Sequence, residues 1–124
     1  MTRILLTLVL ASFTLLATAQ SGPSASFNDD FQVVLTGDTD VPAETYKIDI
    51  SHMAFDDESR ATKFFAGLAS NLEQYKLDFE NDMVYLTLMQ SHLGNTKWDI
   101  AQWNDYFAER ADHYRRVHDA VMGL

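Results

Sequence analysis

The chain has 124 residues, 9 Lys+Arg against 18 Asp+Glu for a formal net charge of −9, and no cysteine. The acidic balance disfavours nucleic acid and anionic membrane surfaces, which recruit proteins through clustered Lys and Arg. The missing thiols exclude disulfides, thiolate metal sites, cysteine nucleophiles and a lipidated cysteine.

Residues 1–19 read as a secretory signal peptide. Arg3 supplies the positive start, Ile4 to Ala17 an apolar run, and Ala17-Thr18-Ala19 a small-residue cleavage site before Gln20. The expected location is exported, periplasmic or extracellular; an uncleaved N-terminal anchor is the alternative. No later run approaches the roughly 20 apolar residues of a membrane span, so no membrane contact is expected once the leader is gone.

Residues 20–30 are Ser, Gly, Pro, Asn and Asp with little apolar content, and a flexible linker is expected there. Residues 31–124 are expected to form a single α+β domain. It opens on the β-prone run Phe31 to Leu35, closed by the turn residues Thr36-Gly37-Asp38. After an acidic loop with Pro42, Tyr46, Ile48 and Ile50 alternate with Lys47, Asp49 and Ser51, the period-two pattern of a half-buried strand. Asp56-Asp57-Glu58 then places acids where a helix N-terminus favours negative charge. Ala61, Phe64, Phe65, Leu68 and Leu72 follow at helical spacing and predict one apolar stripe.

The next stretch predicts a hairpin. Tyr75, Leu77 and Phe79 alternate, as do Val84, Leu86 and Leu88, and Asn81-Asp82 can supply a two-residue turn. That turn would set Phe79 opposite Val84, Leu77 opposite Leu86 and Tyr75 opposite Leu88. A second helix is predicted from a capping box at Thr96 and Asp99 toward Gly123, with Ile100, Trp103, Phe107, Ala111, Tyr114, Val117 and Val121 on one face.

The element order implies an α+β ferredoxin-like sandwich: an antiparallel sheet, built from a β-α-β-β-α core plus the edge strand 31–35, with two helices on one face. The stretch Ile48 to Leu88 resembles the heavy-metal-associated domains in its strand ending near Met53, its helix and its hairpin from Leu77 to Val84. The resemblance implies a ferredoxin-like fold. The family's Met-x-Cys-x-x-Cys motif would fall on Met53 to Glu58, where Phe55 and Glu58 stand at the thiolate positions. Soft-metal chemistry is therefore not expected, and no cofactor is predicted.

His52, His92, His113 and His118 form no ligand pattern. His113 and His118 are five apart and do not share a helix face, and Glu109 with His113 gives two ligands only. No Gly-rich phosphate loop, nucleophile elbow or H-E-x-x-H motif is present.

Binding candidates remain. If Tyr46, Tyr75 and their alternating partners face the helices, the open sheet face presents Lys47, Asp49, Met53, Lys76 and Asp78 around Met83, Tyr85 and Met89. Tyr and Met ringed by polar groups is an interface composition. Trp98, on the polar side of the second helix's first turn, is either a partner anchor or folded back near Leu93. Arg110, inside the aromatic stripe, either snorkels to solvent or holds an anionic ligand.

These features predict a non-catalytic exported binding module that takes a protein or peptide partner, or pairs as a homodimer, through its open sheet face. The alternatives are a small protease-inhibitor or propeptide-like module, and a ligand carrier or enzyme with a pocket near Arg110.

Overall fold

The computed structural model describes residues 23–37 and 40–124; the expected export leader lies outside them. Five strands form one sheet: β1 (Ser24–Phe27), β2 (Val33–Leu35), β3 (Thr45–Asp49), β4 (Glu73–Asp78) and β5 (Met83–Leu88), in the order β2-β1-β3-β5-β4. Among the described residues two α-helices, α1 (Glu58–Leu68) and α2 (Ile100–Met122), complete an α+β architecture. Their buried faces meet Ile48, Val84 and Leu86 of the sheet in one cluster, so both helices cover the same side.

The sheet is mixed rather than antiparallel. β1 runs parallel to β3, with Ser24 beside Lys47 and Ala25 beside Ile48, while the other three pairings are antiparallel. The cause is the segment expected to be a flexible linker, which supplies β1. Ala25 and Phe27 are buried while Ser24 and Ser26 are exposed, and the Phe27 ring lies 6.3, 6.1 and 6.5 Å from Phe64, Phe65 and Tyr114. Burial of a phenylalanine holds a four-residue strand that its propensity alone would not.

Strand β2 therefore takes the outermost place. Asn28 turns the chain between the two strands, its Oδ1 accepting the N–H groups of Asp30 and Gln32 while Phe31 adopts a left-handed φ of 63°. The outer edge is met by a side chain of α2. The Asn104 amide accepts from the Leu35 N–H at 2.8 Å and donates to the Leu35 carbonyl at 3.2 Å, a local cover for an open sheet edge.

Helix α1 starts as its acids suggest, with the Asp57 side chain accepting from the Arg60 N–H. It buries Ala61, Phe64, Phe65 and Leu68 and ends there; Leu72 lies in the turn beyond but still packs on the core. Gly67 permits close approach to α2, since a Cβ there would sit 2.7 Å from Val117 Cγ1. Helix α2 buries Trp103, Phe107 and Tyr114, and Gly123 closes it in the left-handed conformation. Its capping box sits three residues later than expected, between Asp99 and Gln102.

The hairpin also differs from expectation. Strand β4 ends at Asp78, Phe79 to Asn81 form a 3-10 turn, and Asp82 closes it with φ 50°. Leu77 thus pairs with Val84, Tyr75 with Leu86 and Glu73 with Leu88, a register displaced by two residues. A two-residue slip keeps every side chain on its face. Its consequence is that Glu73, on the helix-covered side by its parity with Tyr75 and Leu77, enters the ladder opposite Leu88.

Candidate functional site

With the helices on one side, the alternation of β3, β4 and β5 leaves the opposite side open among the described residues, and the registers set its residues in transverse rows. Met83 lies between Asp49 and Asp78, Tyr85 between Lys47 and Lys76, and Thr87 between Thr45 and Gln74. Neighbouring strands are about 4.8 Å apart and successive rows about 6.8 Å apart. The face is thus striped: an acidic row, a lysine row and a neutral row, with partly exposed Met83 and Tyr85 in the middle of the first two.

Local bonds fix the acids. The Ser51 hydroxyl and then the Ser51 N–H donate to Asp49 Oδ1 at 2.7 and 2.9 Å and hold the Asp49 carboxyl below its ordinary pKa. Asn81 Nδ2 donates to Asp78 Oδ2 at 2.9 Å. Among the described residues neither Lys47 nor Lys76 has an ion-pair partner within the chain.

Three of the expected site residues, Met83, Tyr85 and Lys76, are brought together on this face. Met89 is not among them. Strand β5 ends at Leu88, and Met89, its N–H donating to Leu72 O, lines a groove of about 340 Å³ with Pro42, Ala43, Gln90 and Lys97. Trp98 borders the adjoining groove of about 390 Å³ with Val41, Pro42 and Lys97. Trp98 precedes α2 rather than standing in its first turn, and its ring packs onto that helix, 4.9 Å from Trp103 and 5.6 Å from Tyr106. The Gln90 amide accepts from the Trp98 N–H and donates to its carbonyl, fixing the approach to α2.

Met53 also leaves the open face. It ends the 3-10 turn Ser51–Met53 and packs against the core from the helix side, near His52 and His118. The strand alternation stops at Ile50, so parity no longer predicts its side. At the loop matching the heavy-metal-associated motif, the Phe55 ring lies 5.4 Å from Phe64 and Glu58 is the exposed first residue of α1. Among the described residues no group of three or more His, Asp or Glu can hold a metal ion.

Arg110 does meet an anion, and it is internal. Its Nε lies 3.7 Å from Oε1 of Glu73, whose side chain is 0% exposed. The Tyr114 hydroxyl donates to the same oxygen, the Tyr75 hydroxyl reaches it at 3.4 Å, and Ser70 Oγ lies 3.5 Å from Oε2. Arg110 also donates to Leu68 O at 3.4 Å and rests over the Tyr106 and Tyr114 rings. Burial alone would lower its pKa, but the Tyr114 hydroxyl and the Glu73 carboxylate outweigh it and raise it. Burial, reinforced by Glu73, pushes the Tyr106 hydroxyl up to about 12 and the Tyr114 hydroxyl higher still.

Sequence reasoning missed Glu73. Its parity with Tyr75 and Leu77 was the available signal: an acid at a buried strand position, facing a helix that carries an arginine in its apolar stripe.

Comparison of the chain with protein-family models, with curated proteins and with solved structures finds no significant match.

Proposed function

We propose that this protein is a non-catalytic exported interaction module that works through the open face of its sheet, centred on Tyr85. The observation that supports this is the asymmetry of the sheet: one side is sealed by both helices, and the other carries Tyr85 and Met83, each flanked by two charged residues. Aromatic and methionine side chains inside a charged rim suit protein recognition. The carrier or enzyme reading has less support, because the guanidinium it would use is held against Glu73.

The unit from β3 to α2 is, in this proposal, a ferredoxin-like plait whose remaining strand position is filled by β1 in the parallel sense. Kinship with heavy-metal-associated domains would then be one of fold alone.

A benzophenone amino acid placed at position 85, in protein expressed with its own leader, tests the reading. Illumination is expected to give discrete covalent adducts, and the same group in place of Thr62, an exposed residue of α1, should give few. Equal yields at both positions would overturn it.

A further inference from the structure

The open face is patterned so that it complements itself, and we infer that its occupant is a second copy of this chain, related by a two-fold axis running across the strands between the Met83 and Tyr85 rows. This inference rests on the open face being the working surface.

Closed homodimers form through isologous contacts, in which each residue meets its counterpart's partner about a two-fold axis. Of the axes that can lie in the plane between facing sheets, two keep the strands of the two copies aligned, as packed sheets favour. An axis parallel to the strands would exchange β3 with β4 and stack Lys47 on Lys76 and Asp49 on Asp78, like charge on like.

The axis across the strands exchanges rows instead. It sets Asp49 over Lys47, Asp78 over Lys76 and Met83 over Tyr85, each twice. Four ion pairs then surround a Met–Tyr centre, with the strands of the two copies antiparallel. The charge pattern selects one arrangement and opposes the other.

The side chains are suited to it. Both lysines are exposed and, among the described residues, without an ion-pair partner. The bonds from Ser51 and Asn81 fall on Asp49 Oδ1 and Asp78 Oδ2, leaving the other oxygen of each for a lysine. On β1 the outward residues are Ser24 and Ser26, small enough to let a second sheet approach.

The three striped strands span only about 14 Å by 17 Å. That is well below the roughly 800 Å² per partner of a standard interface, so the dimer is expected to be weak and concentration-dependent.

Sedimentation equilibrium from about 10 to 500 µM tests it, a range matched to a small interface. The protein should show a reversible monomer–dimer equilibrium. Lys47→Glu with Lys76→Glu makes the face wholly acidic, and Asp49→Asn with Asp78→Asn leaves its lysines unopposed. Each double variant alone should dimerise about tenfold more weakly, the scale of several exposed ion pairs together.

Mixed, the two variants should form a heterodimer about fivefold tighter than either makes with itself, since two ion pairs return without repulsion. Circular dichroism establishes that each is folded, and the Asp→Asn changes keep side-chain shape. A monomeric native protein across the range would overturn the inference, as would a dimer indifferent to both double variants or a mixture with no preference for the heterodimer. Benzophenone adducts at position 85 to other proteins, with no dimer adduct, would overturn this inference and leave the interaction module standing; no adducts at all would remove both.

Discussion

Glu73 carries a carboxylate into a side of the sheet otherwise lined by Tyr46, Ile48, Val84, Leu86 and Leu88. An isolated buried charge would cost several kcal/mol, and here Arg110, Tyr114 and Tyr75 answer it. Removing one member should therefore cost more than removing the pair. Arg110→Met is expected to lose about 2–3 kcal/mol, less than a fully buried pair because the guanidinium side is 27% exposed. Glu73→Leu combined with Arg110→Met should lose less than the sum of the single changes in urea unfolding, since no charge is left stranded. Strict additivity would show that the two groups do not act together.

The same cluster gives a pH dependence. Burial raises the Tyr75, Tyr106 and Tyr114 hydroxyls above their ordinary pKa, Tyr106 to about 12. The folded state thus favours the neutral phenols, while the unfolded chain ionises them near pH 10. Their contribution is fully present below about pH 10 and is lost as pH rises toward the folded values. Absorbance at 295 nm should show three of the 5 tyrosines protonated until cooperative alkaline unfolding. Smooth ionisation of all five before unfolding would contradict it.

At the scale of elements, period and pattern were legible where the signal is local. Alternation in Tyr46 to Ile50 and in Val84 to Leu88, and the stripe from Trp103 to Tyr114, identify faces that the structure buries. What alternation does not carry is register. A slip of two residues between β4 and β5 preserves both faces, so the pattern fits the expected and the observed pairings equally; the left-handed Asp82 and the turn from Phe79 decide between them. The helix cap is ambiguous in the same way, because Thr96-x-x-Asp99 and Asp99-x-x-Gln102 both read as capping boxes. The observed one has an assay: Asp99→Ala should cost about 1 kcal/mol in chemical denaturation and Thr96→Ala only a few tenths. The reverse ranking would place the helix start at Thr96.

For the molecule as a whole, the decisive element is β1. Its insertion turns the sheet from antiparallel to mixed, moves β2 to the edge and carries Phe27 into the aromatic cluster of α1 and α2. Phe27→Ala is expected to cost about 3 kcal/mol, as for other buried phenylalanines, and Ser26→Ala close to nothing. A loss under about 1 kcal/mol at Phe27 would return residues 20–30 to the role of a linker.

By itself the sequence determined the α+β class, the two amphipathic helices and which side chains of β3, β4 and β5 lie on the same face. These follow from periodicities of 2 and 3.6 residues, properties of the local chain. Only the tertiary structure decided that Ser24 to Phe27 is a strand, that Arg110 answers Glu73, that Met53 and Met89 leave the open face, and that lysines flank Tyr85 while acids flank Met83. Each depends on which distant segments meet and in what register, and that is set by the joint burial of apolar faces across the whole chain, which no local pattern records.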